Sequence, residues 1–151
     1  MRRIGVGILG LGNVGAGTVK LLTDNRAAIE ARLGAELAIR RVLARDTARR
    51  RATETPRHAL TADIHAVLGD PEIGVVVELL GGVEPARTYI LAALRAGKHV
   101  VTANKAVLAE RGPEIFAEAA RVGRAVVFEG SVAGGIPLLR SLREGLASDR
   151  I

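Results

Sequence analysis

The sequence contains no cysteine and no tryptophan, and only one tyrosine and two phenylalanines among its 151 residues. Without cysteine it has no disulfide, no thiolate metal centre and no cysteine nucleophile, a composition compatible with the reducing cytoplasm, which is the expected location. With aromatics at 2%, the core has to be built from Leu, Ile, Val and Ala. The stacking faces that single-stranded nucleic acids need are also missing. No apolar run approaches the roughly 18 residues of a membrane span. The N-terminal MRRIGVGILGLG is too short and too glycine-broken for a secretion signal. Neither nucleic acid nor membrane is therefore expected as a partner. Lysine is scarce as well: only Lys20, Lys98 and Lys105 interrupt a positive charge otherwise written as arginine. Lysine differs from arginine in being able to give up its proton when its surroundings depress its pKa.

What is present is a globular composition, 48% hydrophobic and 25% charged, with a net charge of +6. Much of that charge lies in RDTARRRATETPRH, residues 45–58, which reads as a solvated loop with part of it available to an anion. Apolar runs of strand length alternate with stretches of helical period, the pattern of a parallel sheet with crossover helices. The expected strands are Arg3–Leu9, Glu36–Ala44, Ile73–Leu80, Lys98–Thr102 and Arg124–Phe128. They are Val- and Ile-rich and mostly continuous, as strands covered on both faces should be. In PARTYILAALRAG, Pro85 suits a first helical turn, Ala86, Ile90, Ala93 and Leu94 share a face, and Gly97 suits the left-handed position past the end. Pro113 is expected to start a helix running to Gly123, and Pro137 another to Ala147 that stacks Leu138, Leu142 and Leu146. The fold class is α/β, a doubly wound parallel sheet in three αβα layers. The final LREGLASDRI carries no turn signal, so the sequence is expected to continue past residue 151.

GLGNVG, residues 10–15, matches G-x-G-x-x-G after a strand and at the opening of a helix, the mark of a Rossmann-type dinucleotide site. Gly10 allows the tight turn, Gly12 lets backbone approach a pyrophosphate, Gly15 allows close helix-to-strand packing, and the helix N-terminus offers N–H groups to the phosphates. At the end of the second strand, where an acid would take the ribose 2′-hydroxyl, Arg45 is followed by Asp46. A guidinium fork suits a 2′-phosphate, which points to NADP, and Asp46 keeps NAD open. VVVELLGG ends a buried strand in Gly81 and Gly82, where backbone can approach the nicotinamide half or simply turn towards the next helix. Lys105 follows the next strand and borders the same crevice. FEGSVAGGIP sets Glu129 before a loop of small residues, an oxygen-donor set for a hard cation, or alternatively a carboxylate that bonds a backbone turn. His58, His65 and His99 have no metal-ligand spacing and read as structural or exposed.

Taken in order, GLGNVGAGTVKLL, VVVELLGG, ALRAGKHVVTANKAVLA and FEGSVAGGIPLLRSLREGL resemble homoserine dehydrogenase along nearly the whole chain. AGKHV alone also resembles sugar-oxidising dehydrogenases related to inositol dehydrogenase, but those continue with Glu-Lys-Pro where this chain has Ala103, Asn104 and Lys105. The resemblance implies NAD(P)-linked interconversion of L-homoserine and L-aspartate 4-semialdehyde in threonine, methionine and isoleucine biosynthesis. It implies cofactor contacts from the glycine loop, Gly10, Leu11, Gly12, Asn13, Val14 and Gly15, and from Lys105; Arg45, Gly81, Gly82 and Thr102 complete the expected cofactor contacts. Lys105 is also implied in proton transfer, which for a lysine of ordinary pKa near ~10.4 needs burial or a neighbouring cation; a fixed positive charge needs neither. A monovalent cation, sodium, is implied at Glu129 and at the carbonyls of Val132, Gly134 and Ile136, and Gly130 stands where relatives often have Ala. Residues 1–130 are then the nucleotide-binding domain and 131–151 the beginning of a catalytic and dimerisation domain. The substrate carboxylates and a second lysine would lie beyond this sequence, so these residues alone are expected to bind cofactor without turnover, and the full-length enzyme to be a homodimer. The competing readings are another two-domain dehydrogenase acting on a sugar or semialdehyde, and a non-catalytic nucleotide-sensing module.

Overall fold

The computed structural model describes residues 2–48, 55, 59–132, 136 and 139. The chain runs β1 (Arg3–Leu9), α1 (Asn13–Asp24), α2 (Arg26–Leu33), β2 (Glu36–Leu43), β3 (Leu60–Thr61), α3 (His65–Leu68), β4 (Ile73–Glu78), α4 (Ala86–Arg95), β5 (His99–Thr102), α5 (Lys105–Val122) and β6 (Val126–Val127). A 3-10 turn follows at Glu129–Ser131. All strand pairings are parallel, and the six strands lie in the order β3-β2-β1-β4-β5-β6. This is the Rossmann-type doubly wound order, in which strand succession reverses between β1 and β4.

Strands this apolar have to be covered on both faces, and two separate cores do so. On one face α1 drops Val19 onto Val6, Ile8 and Val42. On the other, α4 and α5 press Ile90, Leu94, Val107 and Ile115 onto Leu9, Val76 and Val100. Ala86, Ile90, Ala93 and Leu94 are fully buried along α4, as their spacing requires, and Gly97 takes φ 76° past its end. Arg87 of α4 clasps Glu114 of α5, its Nε 2.7 Å from the carboxylate.

Several boundaries differ from expectation. Helix α5 does not begin at Pro113; it runs unbroken from Lys105 to Val122 with Pro113 inside it. Proline removes one donor, so the carbonyl of Ala109 loses its helical partner, but Ala109 is exposed, which leaves that carbonyl open to solvent. Val107, Ile115 and Ala119 meanwhile remain in phase on the buried face, which holds both halves in one helix. Pro85 sits one position ahead of the first residue of α4. Strand β4 stops at Glu78 because its side chain turns back to bond the following backbone. β6 contains only Val126 and Val127. The short β3 was not anticipated, since two residues carry no periodic signal; it is held by parallel pairing to Val42 and Leu43. The helix expected from Pro137 and most of the arginine-rich run after Ala48 lie outside the described residues.

Candidate functional site

In a sheet of this order the ligand crevice opens beyond the carboxyl ends of the strands where their order reverses. The first border is the turn from β1 into α1. Gly10 leaves the strand at φ 100° and donates its N–H to Leu43 O at 3.0 Å, tying the ends of β1 and β2 together. Few residues other than glycine adopt that conformation. A Cβ at Gly15 would sit 2.1 Å from Gly10 O, so only glycine allows the helix to start this close to the strand. A Cβ at Gly12, by contrast, would meet nothing within 4 Å. Gly12 caps α1 without a side-chain acceptor, and no acid stands in the first turn. The N–H groups of that turn are therefore left for an anion. Asn13 and Val14 are exposed there, whereas Leu11 is buried against Val19 and its neighbours, so its contribution to a ligand would come from the main chain.

Arg45 is exposed two residues beyond β2, on the same edge of the sheet. Asp46 spends one carboxylate oxygen accepting from Ala48 N–H at 2.9 Å, an Asx turn that competes with a ribose hydroxyl for it.

The opposite border follows β4 and β5. Gly81 and Gly82 turn with φ 76° and 69°, both exposed. Beneath them Glu78 is fully buried. One of its oxygens accepts from Leu80 N–H at 2.7 Å and from the Asn104 amide at 3.4 Å; the other accepts from the Thr102 hydroxyl at 2.6 Å. The Asn104 amide also donates to Gly82 O at 2.7 Å, and its oxygen accepts from Val107 N–H at 3.2 Å, which caps α5. Lys105 is the first residue of that helix and is exposed. Thr102 is buried with its hydroxyl engaged on both sides, donating to Glu78 and accepting from Asn104 N–H at 3.0 Å. Its side chain thus belongs to the scaffold under the crevice rather than to the crevice wall.

The Glu129 turn joins this border from the side. Ser131 Oγ donates to Thr102 O at 2.9 Å, and Phe128 stacks at 5.1 Å on Phe116 of α5. Glu129 Oε1 accepts from Leu139 N–H, ten residues on, at 3.0 Å. Val132 is half-buried and bonded through its N–H to Glu129 O at 3.2 Å, Ile136 is exposed, and Gly134 lies outside the described residues. Among the described residues no cluster of three or more His, Asp or Glu side chains stands ready for a metal. Any cation here would rely mainly on carbonyl oxygens. His65 and His99 are exposed, and His99 Nδ1 accepts from Ala125 N–H at 3.1 Å; His58 lies outside the described residues.

Two polar residues escaped the sequence reading, Glu78 and Lys98. A lone carboxylate in VVVELL is itself a signal, because a buried charge requires partners. Lys98 is 3% exposed at the amino end of β5 and donates to Asp70 O at 2.8 Å and Ile73 O at 2.9 Å. Burial pushes its ammonium below the ordinary lysine value, with Asp70 opposing.

Comparison with known proteins agrees with this geometry. Residues 10–129 match the family model described as homoserine dehydrogenase, NAD binding domain. The chain is 47% identical over all 151 residues to the homoserine dehydrogenase of Bacillus subtilis and 46% identical over 151 residues to that of Pseudomonas aeruginosa. It spans 35% and 34% of the lengths of those two relatives. A crystal structure of a homoserine dehydrogenase from Thiobacillus denitrificans superposes on the whole chain with a TM-score of 0.93 at 48% identity, again over 35% of its own length. Matching that family model over residues 10–129, the chain belongs to the homoserine dehydrogenase NAD-binding domain family.

Proposed function

We propose that residues 1–151 are the cofactor-binding part of a homoserine dehydrogenase, an NAD(P)-dependent oxidoreductase interconverting L-homoserine and L-aspartate 4-semialdehyde in threonine, methionine and isoleucine biosynthesis. The observation that carries this reading is the meeting, on one carboxyl edge, of an acid-free helix start at Gly12 and Asn13 with an exposed lysine heading α5. The first-turn N–H groups from Gly12 to Gly15 hold the pyrophosphate, with Gly10 and Leu11 shaping the turn. Arg45 reads the 2′-phosphate, which favours NADP over NAD. The Gly81–Gly82 turn brings backbone to the nicotinamide side, and Thr102 acts from beneath through its hydrogen bonds.

A nicotinamide held at this edge would supply the hydride acceptor for the carbon bearing the substrate hydroxyl, and the hydride donor in the reverse direction. Lys105, at the head of α5, would lay a positive charge beside the oxygen of that carbon or move its proton. Glu129 and the carbonyls of Val132, Gly134 and Ile136 would hold a sodium ion, which would supply a fixed positive charge where the nucleotide domain, residues 1–130, gives way to the catalytic and dimerisation region that 131–151 begins. A carboxylate beside carbonyls suits a hard cation, and Glu129 accepts from Leu139 N–H through one oxygen only, Oε1. The substrate is a small molecule, the full-length enzyme a homodimer, and its compartment the cytoplasm.

Steady-state kinetics of the full chain tests this. Lys105→Met is expected to lower kcat for homoserine oxidation on the order of 100-fold while the affinity for NADP changes little. An unchanged kcat would remove Lys105 from the chemistry. Absence of homoserine-dependent NADPH formation by the full-length enzyme would overturn the function itself.

A further inference from the structure

The hydrogen bonds under the crevice form one closed set. Glu78 offers only acceptors and meets only donors: Leu80 N–H, the Asn104 amide and the Thr102 hydroxyl. Asn104 donates to Glu78 and to Gly82 O, and accepts from Val107 N–H. Turning its amide over would set oxygen against oxygen at Gly82 and at Glu78, and N–H against N–H at Val107, so its orientation is fixed. Thr102 passes the set on, accepting through its hydroxyl from Asn104 N–H and through its carbonyl from Ser131 Oγ. Glu78, Thr102, Asn104 and Ser131 are all buried, where such bonds are strongest and least replaceable by water.

We propose that Glu78 is a positioning residue: one buried carboxylate fixes, as a single unit, the turn at Leu79–Gly82, the head of α5 that carries Lys105, and the 3-10 turn that carries Glu129. The coupling of the three segments stands on the hydrogen bonds alone; its consequence for turnover rests on the dehydrogenase reading given above. Three surface segments that each look like an independent loop are then one rigid border, set against the glycine turn on the far side of β1. Displacement of that border misplaces Lys105 and the nicotinamide wall and leaves the pyrophosphate and 2′-phosphate contacts at Gly12 and Arg45 where they are. Errors of about 1 Å in such placement cost up to about 100-fold in rate.

The test uses Glu78→Gln and Asn104→Asp in the full chain, with Lys98→Met as a control that breaks buried hydrogen bonds at the other end of β5. In Glu78→Gln the amide faces donors it cannot satisfy. Asn104→Asp keeps the cap on Val107 but loses both donors and sets a second carboxylate beside Glu78. Amide hydrogen exchange is expected to accelerate together at Leu80, Val107 and Ser131 in both variants, and at none of the three in Lys98→Met. Acceleration at Leu80 alone in Glu78→Gln would overturn the proposal, since the segments would then be independent. In kinetics, kcat is expected to fall on the order of tenfold or more in both variants with the dissociation constant for NADP within about threefold of wild type. Equal loss of both would assign Glu78 a structural role and overturn the positioning. Coupled exchange in a full chain that oxidises no homoserine would uphold the coupled border and refute the dehydrogenase reading instead.

Discussion

Strand β5 has a lysine at each end, and the two are used in opposite ways. Lys98, at the amino end, is buried and spends its ammonium on two backbone carbonyls. Lys105, just past the carboxyl end, is exposed at the head of a helix whose cap is Asn104. The same contrast extends across the sheet. The amino edge holds an open cleft of about 410 Å³ lined by Arg2, Arg3, Glu72 and His99, but its polar groups are largely taken: Arg3 pairs with Glu36, Glu72 with Arg40, and His99 Nδ1 accepts from Ala125 N–H. At the carboxyl edge the polar groups that are satisfied lie underneath, around Glu78, and those at the surface are an uncapped helix start and basic side chains. A cleft with spent charges is scaffold, whereas donors left facing outward over a saturated floor make a site.

The largest break in this contrast is expected within the glycine turn. Gly15→Ala places a methyl 2.1 Å from a backbone oxygen, so α1 has to move away from β1. A stability loss of about 3 kcal/mol is expected by denaturant unfolding, together with loss of cofactor binding. Gly12→Ala meets no protein atom. It should change stability by less than about 0.5 kcal/mol and weaken cofactor binding on the order of tenfold, because the space it fills is that of the ligand. Equal destabilisation by both would erase the distinction between a packing glycine and a ligand-facing one.

Lys98→Met comes next. It leaves the carbonyls of Asp70 and Ile73 without their donor, at a cost of about 2 kcal/mol, and should not alter NADP affinity. Because burial holds the folded-state pKa of Lys98 below the ordinary 10.5, the unfolded chain takes up a proton between those two values. The stability that Lys98 contributes therefore grows as pH rises through that window towards 10.5. Unfolding curves at successive pH values should show the gap between wild type and variant widening in that direction. A gap that narrows would mean that Lys98 gains from its charge rather than suffering from burial.

The smallest effect is expected where α5 meets α4, at Glu118, whose largely buried carboxylate accepts from Arg95. Hydrogen bonds from Arg121 and then Arg95 hold the Glu118 carboxyl down at about 2. Its contribution is complete above the ordinary 4.5 and is lost as pH falls through about 2. Glu118→Gln should lower the melting temperature slightly at neutral pH, with the gap to wild type closing as pH falls through about 2, so that the acid limb is flatter. A shift at neutral pH larger than that of Lys98→Met would contradict the ranking.

The sheet was legible because its signals are local and repeated. The strand cores around Ile8, Val76 and Val100 are continuous β-branched runs, and Gly10, Gly97 and Gly123 stand at the turns their freedom suits. Pro113 misled because a proline's preference for a first turn is weaker than the in-phase burial of Val107, Ile115 and Ala119 around it. The borders of the site were legible as motifs; the floor was not. Glu78 and Asn104 are 26 residues apart and meet only once β4 and β5 pair in register, Glu78 opposite Thr102. No spacing rule within either segment announces that meeting. Ser131 reaches the same floor from another 27 residues beyond Asn104, through a bond to backbone that leaves no mark on the pattern.

The measurement that bears most directly on the central claim, that the carboxyl edge is a dinucleotide site, is calorimetric titration of the full chain with NADP and NAD, for wild type and for Arg45→Ala. Arg45 is exposed and its replacement should not disturb folding. The account predicts tighter binding of NADP than of NAD, with the difference lost in Arg45→Ala and the affinity for NAD unchanged. Binding of neither nucleotide by the folded wild-type chain would contradict it.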